Sequence, residues 1–413
     1  MSLPANPAPA PALSDLDPHA PTPTAAGVQA ALAGPMSNGV LGQLAAQVLD
    51  PATGEVLLDR GSDAPMQPGS TMKLYTVAAA AAVLDPGMRL TTTVAQGPNP
   101  TEITIVAGGD PTLSSRPQSV LNPGAATIAE LAAAVKAAGV TQVTKITVDN
   151  AIFQGAPTAE GWGTGDAPST YAAPIYPFMA DGGRTNPADD HSMRYGEPDL
   201  HAASLLAADL GSPQAQVVRG TVDAAAKPVA TVRSAPIEQL IEQAIVHSDN
   251  VLAECLGRLV AQKVGQPTTF AGAVTAISAV MQEMGVDLTG YQGHDASGLS
   301  QLDRTSARSI ASVLAVATSG KQEHLDVVDS ALAVAGYNGT LAARYDGASA
   351  SGAGRVRGKT GTLTGVSSLA GTVLTADGRV LVYSFVSNGG GGTEAVRAAL
   401  DKIAAAIAGC GCR

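Results

Sequence analysis

Ser70 and Lys73 lie three positions apart in PGSTMKLYTVAAAAAVL, the stretch from Pro68 to Leu84. On a helix this spacing sets both side chains on one face, a single turn apart and close enough to touch. A serine hydroxyl at a helix N-terminus sits among free backbone N–H groups, at the positive end of the dipole, where developing negative charge is stabilised. A lysine that is desolvated or crowded by another cation can lose its proton and then accept one from that hydroxyl. The pair therefore fits a nucleophile and its base, the chemistry of acyl transfer through a covalent serine. It also fits an ordinary N-cap followed by an exposed lysine, since serine is a favoured cap and S-x-x-K arises by chance about once in a chain of this composition.

Two triplets weigh toward chemistry. Ser248-Asp249-Asn250 interrupts a helical stretch, PIEQLIEQAIVHSDNVLAECLGRLVAQKVG, where a hydroxyl and a carboxamide can point into a cleft. Lys359-Thr360-Gly361 opens a strand-like run, and Gly361 removes a side chain where a substrate backbone can approach closely.

These residues need elements to hold them. GQLAAQVLDPATGEVLLDRGS alternates as two strands around a Pro/Gly-containing turn, and the helix opened by Ser70 follows. From residue 85 to 235 the texture changes: short runs such as RLTTTVAQG, TEITIVAGG and KITVDN alternate with turns, around one Ala-rich helix, TIAELAAAVKAAG. Helical periodicity then returns, and the chain closes with the strand-like runs RVRGKTGTLTG, SSLAGTVLTADG and RVLVYSFVSN and a helix, TEAVRAALDKIAAAIAG. Asp377-Gly378 reads as a hairpin turn. The expectation is an α/β (α+β) fold: an antiparallel sheet drawn from both chain ends, flanked by helices, with a large β-rich insert between the first and second motifs. Its parts would be a disordered Pro/Ala linker over 1–38, a catalytic domain from 39–84 and 236–408, an accessory insert over 85–235 and a tail at 409–413.

A chain of 413 residues has ample length for two or three domains. With 45% apolar but only 3% aromatic residues, its core must rest on Ala, Val, Leu and Ile. A net charge of -11 argues against nucleic acid or an anionic membrane surface as partner. No apolar run is long enough to span a bilayer. The N-terminal MSLPANPAPAPALSDLDPHAPTPTAAG lacks the basic start and apolar middle of a signal peptide. It reads as a tether, so a removed leader or membrane anchor is expected upstream, with MSL as an expression remnant. Of the three cysteines, Cys255 with one of Cys410 and Cys412 is one arrangement, three free thiols another.

The set S-x-x-K, S-D-N and K-T-G, here Ser70 to Lys73, Ser248 to Asn250 and Lys359 to Gly361, resembles that of the penicillin-recognising serine enzymes. GGDPTL, GWGTGDAPSTYAAP, HDASGLS, YNGTL and KTGTLTGVSSLAG extend the likeness to the D-alanyl-D-alanine carboxypeptidase/endopeptidase group, the class C low-molecular-mass penicillin-binding proteins, over residues 40–408. The resemblance implies that Ser70 is acylated, Lys73 is its base and Ser248 relays the proton to the leaving amine. Asn250 would bind a substrate carbonyl. Lys359 would orient Ser248 and, with Thr360 and Thr362, hold the terminal carboxylate, next to Gly361. The amides of Ser70 and Thr362 would form the oxyanion hole. The implied substrate is the peptidoglycan stem peptide, with β-lactams as inhibitors and no cofactor or metal. A cross-link endopeptidase, a β-lactamase and a silent cell-wall binding protein are the alternatives. Against the lactamase stand the length between Lys73 and Ser248 and the stretch EPDLH at Glu197, which lacks the expected asparagine.

Weaker signals have plainer readings. His247 is expected to pack or face solvent, because no G-x-S-x-G elbow accompanies it. Asp189 to His191 is expected to be a solvated loop rather than a cation site. Gly389 to Gly392 lacks the G-K-[ST] ending of a phosphate cradle and reads as a turn capped by Thr393. Trp162 either borders the cleft or packs the insert.

Overall fold

The structure, a computed structural model, describes residues 20–412. Thr24 caps α1 (Ala25–Met36), its hydroxyl accepting from the Gly27 amide at 3.1 Å. Val28, Leu32 and Met36 recur every four positions and bury one stripe of this helix. The linker expected over residues 1–38 is corrected here: Pro and Ala dominate its composition, yet this stripe gives residues 25–36 a surface to cover. Residues 1–19 of that expectation lie outside the described residues. β1 (Gln43–Leu49) and β2 (Val56–Arg60) form the expected hairpin, with Val48 opposite Leu58. A 3-10 turn, Gly69–Met72, then runs into α2 (Lys73–Val83). Ser70 therefore sits inside that turn and caps no helix. Lys73 through Ala81 are all buried, as befits a helix enclosed on every side.

β3 (Arg89–Gln96), β4 (Glu102–Val106), β5 (Asp110–Leu113), α3 (Ile128–Ala137), β6 (Lys145–Asp149), β7 (Phe178–Ala180), α4 (Pro198–Asp209), β8 (Gln216–Arg219) and β9 (Pro228–Pro236) follow. A capping box starts α3: the Thr127 hydroxyl accepts from the Glu130 amide at 2.9 Å, and the Glu130 carboxylate accepts from the Thr127 amide at 2.8 Å. A second sheet, in the order β8-β6-β4-β3-β9, is parallel through β4, β6 and β8 and antiparallel around β3. It shares a core with α3 and α4 that includes Ile105, Leu131, Ile146 and Leu206. Phe153, Ala159, Ala172, Ala173 and Met179 leave that core and pack among the central helices.

The chain continues through α5 (Ile237–Val246), α6 (Asn250–Lys263), α7 (Phe270–Glu283), α8 (Ala307–Thr318), α9 (Asp326–Ser330), β10 (Ala333–Val334), β11 (Val356–Leu363), β12 (Val366–Leu374), β13 (Val380–Asn388) and α10 (Thr393–Ala408). An antiparallel sheet in the order β10-β11-β12-β13-β1-β2 joins the two chain ends, with Gln47 opposite Ser384. Val28, Leu32, Leu400 and Ile403 share a core with Leu57, Leu369 and Phe385 on one face of this sheet, while Ala45, Ala370 and Val386 face the core around α2 and α8. Gly392 is the N-cap of α10 and offers no side chain, so the capping expected of Thr393 is not made. Cys410 pairs with Cys412, and Cys255 is free and fully buried in α6. The expected alternatives are thus corrected: Cys255 lies in the helical core, whereas Cys412 sits beside α1, its carbonyl accepting from the Thr24 amide at 2.7 Å. Among the described residues, no helix is long and apolar enough to cross a membrane.

Candidate active site

The turn at Gly69–Met72 feeds α2 so that Lys73 is fully buried while Ser70 lines a cleft of about 1040 Å³. The Lys73 Nζ donates to the Ser70 Oγ at 3.0 Å, to the Ser297 carbonyl at 2.8 Å and to the Asn250 Oδ1. The last two partners are carbonyl oxygens, which can only accept. Of the three, only the Ser70 hydroxyl can also donate. When Lys73 is neutral, its two N–H groups stay on the carbonyls and its lone pair faces Ser70. Burial lowers the Lys73 pKa to about 8, against the pull of the Asp295, Glu254, Asp249 and Asp303 charges. A neutral Lys73 held in this way is able to accept the Ser70 proton.

Ser248, Asn250, Thr360 and Thr362 line the same cleft. Ser248 adopts φ 56°, a left-handed conformation uncommon for a residue other than glycine, at the break between α5 and α6. Its Oγ accepts from the Lys359 Nζ at 2.7 Å, and the same nitrogen also donates to the Thr360 carbonyl at 2.8 Å. Lys359 is fully buried, and its pKa is pushed well below the usual lysine value by burial and then by the charge of Lys73. Asn250 donates its amide to the Tyr171 carbonyl at 3.1 Å, and Thr360 donates to the Thr340 hydroxyl at 3.0 Å. The structure thus gathers all eight residues singled out in the sequence at one cleft or directly against it.

Gly361 explains how closely β11 approaches the serine turn. A Cβ there would collide with the Pro68 carbonyl and the Ser368 hydroxyl and lie 3.0 Å from the Ser70 amide nitrogen. Opposite it, a Cβ on Gly69 would lie 2.9 Å from the Thr362 amide nitrogen. The backbone this glycine accommodates is the chain's own. If the Ser70 and Thr362 amides form the oxyanion hole that the resemblance implies, Gly361→Ala is expected to push β11 off the turn, misalign them and lower acylation by about 10²–10³, the usual cost of one oxyanion donor. Progress curves with a chromogenic cephalosporin would measure it, and an unchanged rate would show that the seam tolerates displacement.

Several contributors were not legible as site residues. Asp295 organises HDASGLS: its carboxylate accepts from the amides of Ser297 at 3.0 Å, Gly298 at 2.6 Å and Ser300 at 2.7 Å, which aims the Ser297 carbonyl at Lys73. Both Glu254 oxygens accept from the Ala296 amide at 3.1 Å, and burial followed by the Asp295 charge raises the Glu254 pKa to about 8. Trp162 packs edge-on against Phe270 and donates to Asp295 at 2.8 Å, so it serves this turn. Arg397, from α10, donates to the Thr362 hydroxyl at 3.0 Å. The loop at Asp189 to His191 is solvated as expected, with Asp189 and His191 exposed, and it also borders the cleft: Asp190 and His191 line it, and Asp190 accepts from the buried Arg184 at 2.6 Å. His247 lines it too, 3.9 Å from Asp190.

The sequence profile of the D-Ala-D-Ala carboxypeptidase 3 (S13) family matches residues 28–201 and 188–408. Carboxypeptidase DacB of Mycolicibacterium smegmatis is 39% identical over 98% of this chain and 90% of its own length. A carboxypeptidase of Mycobacterium tuberculosis is 40% identical over 95% of this chain and 86% of its own length. Among solved structures, penicillin-binding protein 4 of Haemophilus influenzae superposes with a TM-score of 0.76 at 19% identity, covering 92% of this chain and 97% of that one. A predatory peptidoglycan endopeptidase of Bdellovibrio bacteriovorus gives 0.54 at 17% identity, covering 83% and 85%. At these identities the structural likeness establishes the fold.

Proposed function

The chain belongs to the S13 family of D-Ala-D-Ala carboxypeptidases, and from that membership we propose that Ser70 is the nucleophile that opens the D-Ala-D-Ala bond of peptidoglycan stem peptides. The observation that carries this reading is the buried Lys73 Nζ, held on two carbonyl oxygens with its third position on the Ser70 hydroxyl. β10 pairs with β11 only at Arg357 and Gly358, which leaves the edge from Lys359 to Leu363 open for a peptide to add as a strand. The terminal carboxylate then meets Lys359, Thr360 and Thr362, and Asn250 receives a peptide carbonyl. Neutral Lys73 takes the Ser70 proton as Oγ attacks the penultimate D-Ala carbonyl, and the amides of Ser70 and Thr362 hold the oxyanion. Ser248, bonded to Lys359, delivers a proton to the departing D-alanine amine, and water then hydrolyses the ester.

A β-lactam follows the same first step, but its leaving amine stays tethered, so the acyl-enzyme persists. With that substrate the work is done at the cell wall, outside the membrane, as expected of an exported protein. The test is intact-protein mass spectrometry after incubation with benzylpenicillin, then peptide mapping. One slowly released adduct per chain, on the peptide holding Ser70, is the expected result. An unmodified chain with intact penicillin would point to a silent binding protein, and an unmodified chain with hydrolysed penicillin to a lactamase.

A further inference from the structure

We propose that Arg184, on the loop between β7 and α4, is a positioning residue that grips Asp249 and thereby sets Ser248 and Asn250 for their work at the cleft. The proposal rests on the roles given to those two residues above. Asp249 is buried and uses its two oxygens differently: Oδ1 accepts from the Leu252 amide at 3.0 Å, capping α6, while Oδ2 accepts from the Arg184 Nη2 at 2.8 Å. The Arg184 side chain is only 1% exposed and is itself fixed by its own loop. Its Nη2 also donates to the Asp190 carboxylate at 2.6 Å and its Nη1 to the Asp181 carbonyl at 3.1 Å. Gly182 makes the approach possible, since a Cβ there would lie 3.0 Å from the Nη1 atoms of both Arg184 and Arg194. Burial alone would raise the Asp249 pKa; the charges of Arg184 and Arg194 overcome it and hold the carboxyl well below the usual range.

The consequence concerns the turn on either side of Asp249. Ser248 stands in a left-handed conformation that is strained for a non-glycine residue and persists only where its surroundings dictate it. Its backbone neighbours close α5, with the Ser248 amide donating to the Ile245 carbonyl at 3.2 Å. The side-chain anchor of the turn is Asp249, and its partner comes from the insert. Asn250 is held from the same side through the Tyr171 carbonyl. A motif whose outer members contact Lys359 and Lys73 is thus fixed in the middle by an arginine more than sixty positions earlier. The insert therefore takes part in setting the catalytic geometry.

Loss of a merely stabilising ion pair would lower the melting temperature without slowing the folded enzyme. Arg219 supplies the control: in the same insert it donates from Nε and Nη2 to the buried Asp199 carboxylate, both at 2.8 Å. The full chain and its variants Arg184→Gln, Arg184→Lys, Asp249→Asn and Arg219→Gln would be compared well below their melting temperatures. A fluorescent penicillin would resolve the first-order acylation constant from the dissociation constant of the initial complex. Arg184→Gln and Asp249→Asn are each expected to lower the acylation constant about tenfold or more, in line with losing a charge-assisted hydrogen bond. The double variant should be no slower than the slower single one, and Arg184→Lys should recover part of the loss. Arg219→Gln should melt earlier yet acylate at the parent rate. If Arg184→Gln does not fold, Asp249→Asn carries the test, because asparagine still caps α6. Parent-rate acylation in folded Arg184→Gln, or in Asp249→Asn where that variant fails to fold, overturns the proposal, as does an equal loss in Arg219→Gln. A parent chain that takes no label would bring down the serine reading and this one together, whereas a labelled parent with unaffected variants brings down this one alone.

Discussion

Ser70→Ala is expected to leave a folded chain that takes no covalent benzylpenicillin and releases D-alanine about 10⁶-fold more slowly, the scale set by removing the nucleophile of a serine hydrolase. The fold should survive, because the Ser70 Oγ caps no helix and, among the described residues, its hydrogen bond runs only to Lys73. Lys73 keeps the Ser297 carbonyl and the Asn250 Oδ1. The seam between Gly69 and Gly361 is backbone and also remains. Intact mass after prolonged incubation, together with D-alanine release from a D-Ala-D-Ala peptide, measures both halves. An adduct that persists in this variant would move the nucleophile elsewhere, with Ser248 the first position to map.

The fold was legible where side-chain periodicity matched the local environment. β1, β2, β12 and β13 announce themselves by apolar runs around turns, and their joining into one sheet follows from strands at both chain ends with helices between. α1 was missed because Pro and Ala dominate its neighbourhood, and its signal is only three apolar residues with a distant surface to cover. The strands of residues 85–235 were visible, but the parallel order of β4, β6 and β8 was not, since pairing across helices leaves no local mark. The sharing of Phe153 and Ala172 with the central helices was equally hidden.

The site divides in the same way. Ser70, Lys73, Ser248, Asn250 and Lys359 were readable because their chemistry requires particular residue types in short fixed spacings. The groups that tune them come from distant elements. Glu254 reads as an ordinary polar position inside α6, yet it is buried against the Ala296 amide. Asp190 reads as part of a solvated loop because nothing local reveals that Arg184 pairs with it and with Asp249. Arg397 pairs with Glu394 of its own helix at 2.7 Å, while its other amino group reaches Thr362, a contact no local spacing reveals. Motifs report the atoms that react, and tertiary contacts decide their protonation and aim.

Lys73→Arg separates those two layers. Arginine retains the positive charge and can donate to the Ser297 carbonyl and Asn250, but it does not deprotonate near neutral pH. Initial complex formation should change little, while the acylation constant should fall by about 10³, within the range usual for loss of a general base. The pH dependence is the sharper reading. The Lys73 pKa is lowered to about 8 by burial, and if Lys73 is the base as proposed, only molecules in which it is neutral are competent. Acylation in the parent should therefore rise about tenfold per unit on the acid side and level off above pH about 8. Glu254 complicates this, because burial also raises its pKa to about 8. Ionised Glu254 places negative charge near Lys73 and favours the ammonium, so Glu254→Gln should move the midpoint of the profile to lower pH. The carboxamide oxygen introduced by that substitution can still accept from the Ala296 amide, so the turn that aims the Ser297 carbonyl is kept. Stopped-flow acylation from pH 6 to 10 measures all three proteins. A profile that keeps its rise in Lys73→Arg would assign the titration to another group, and a midpoint unmoved in Glu254→Gln would show that the two sites titrate independently.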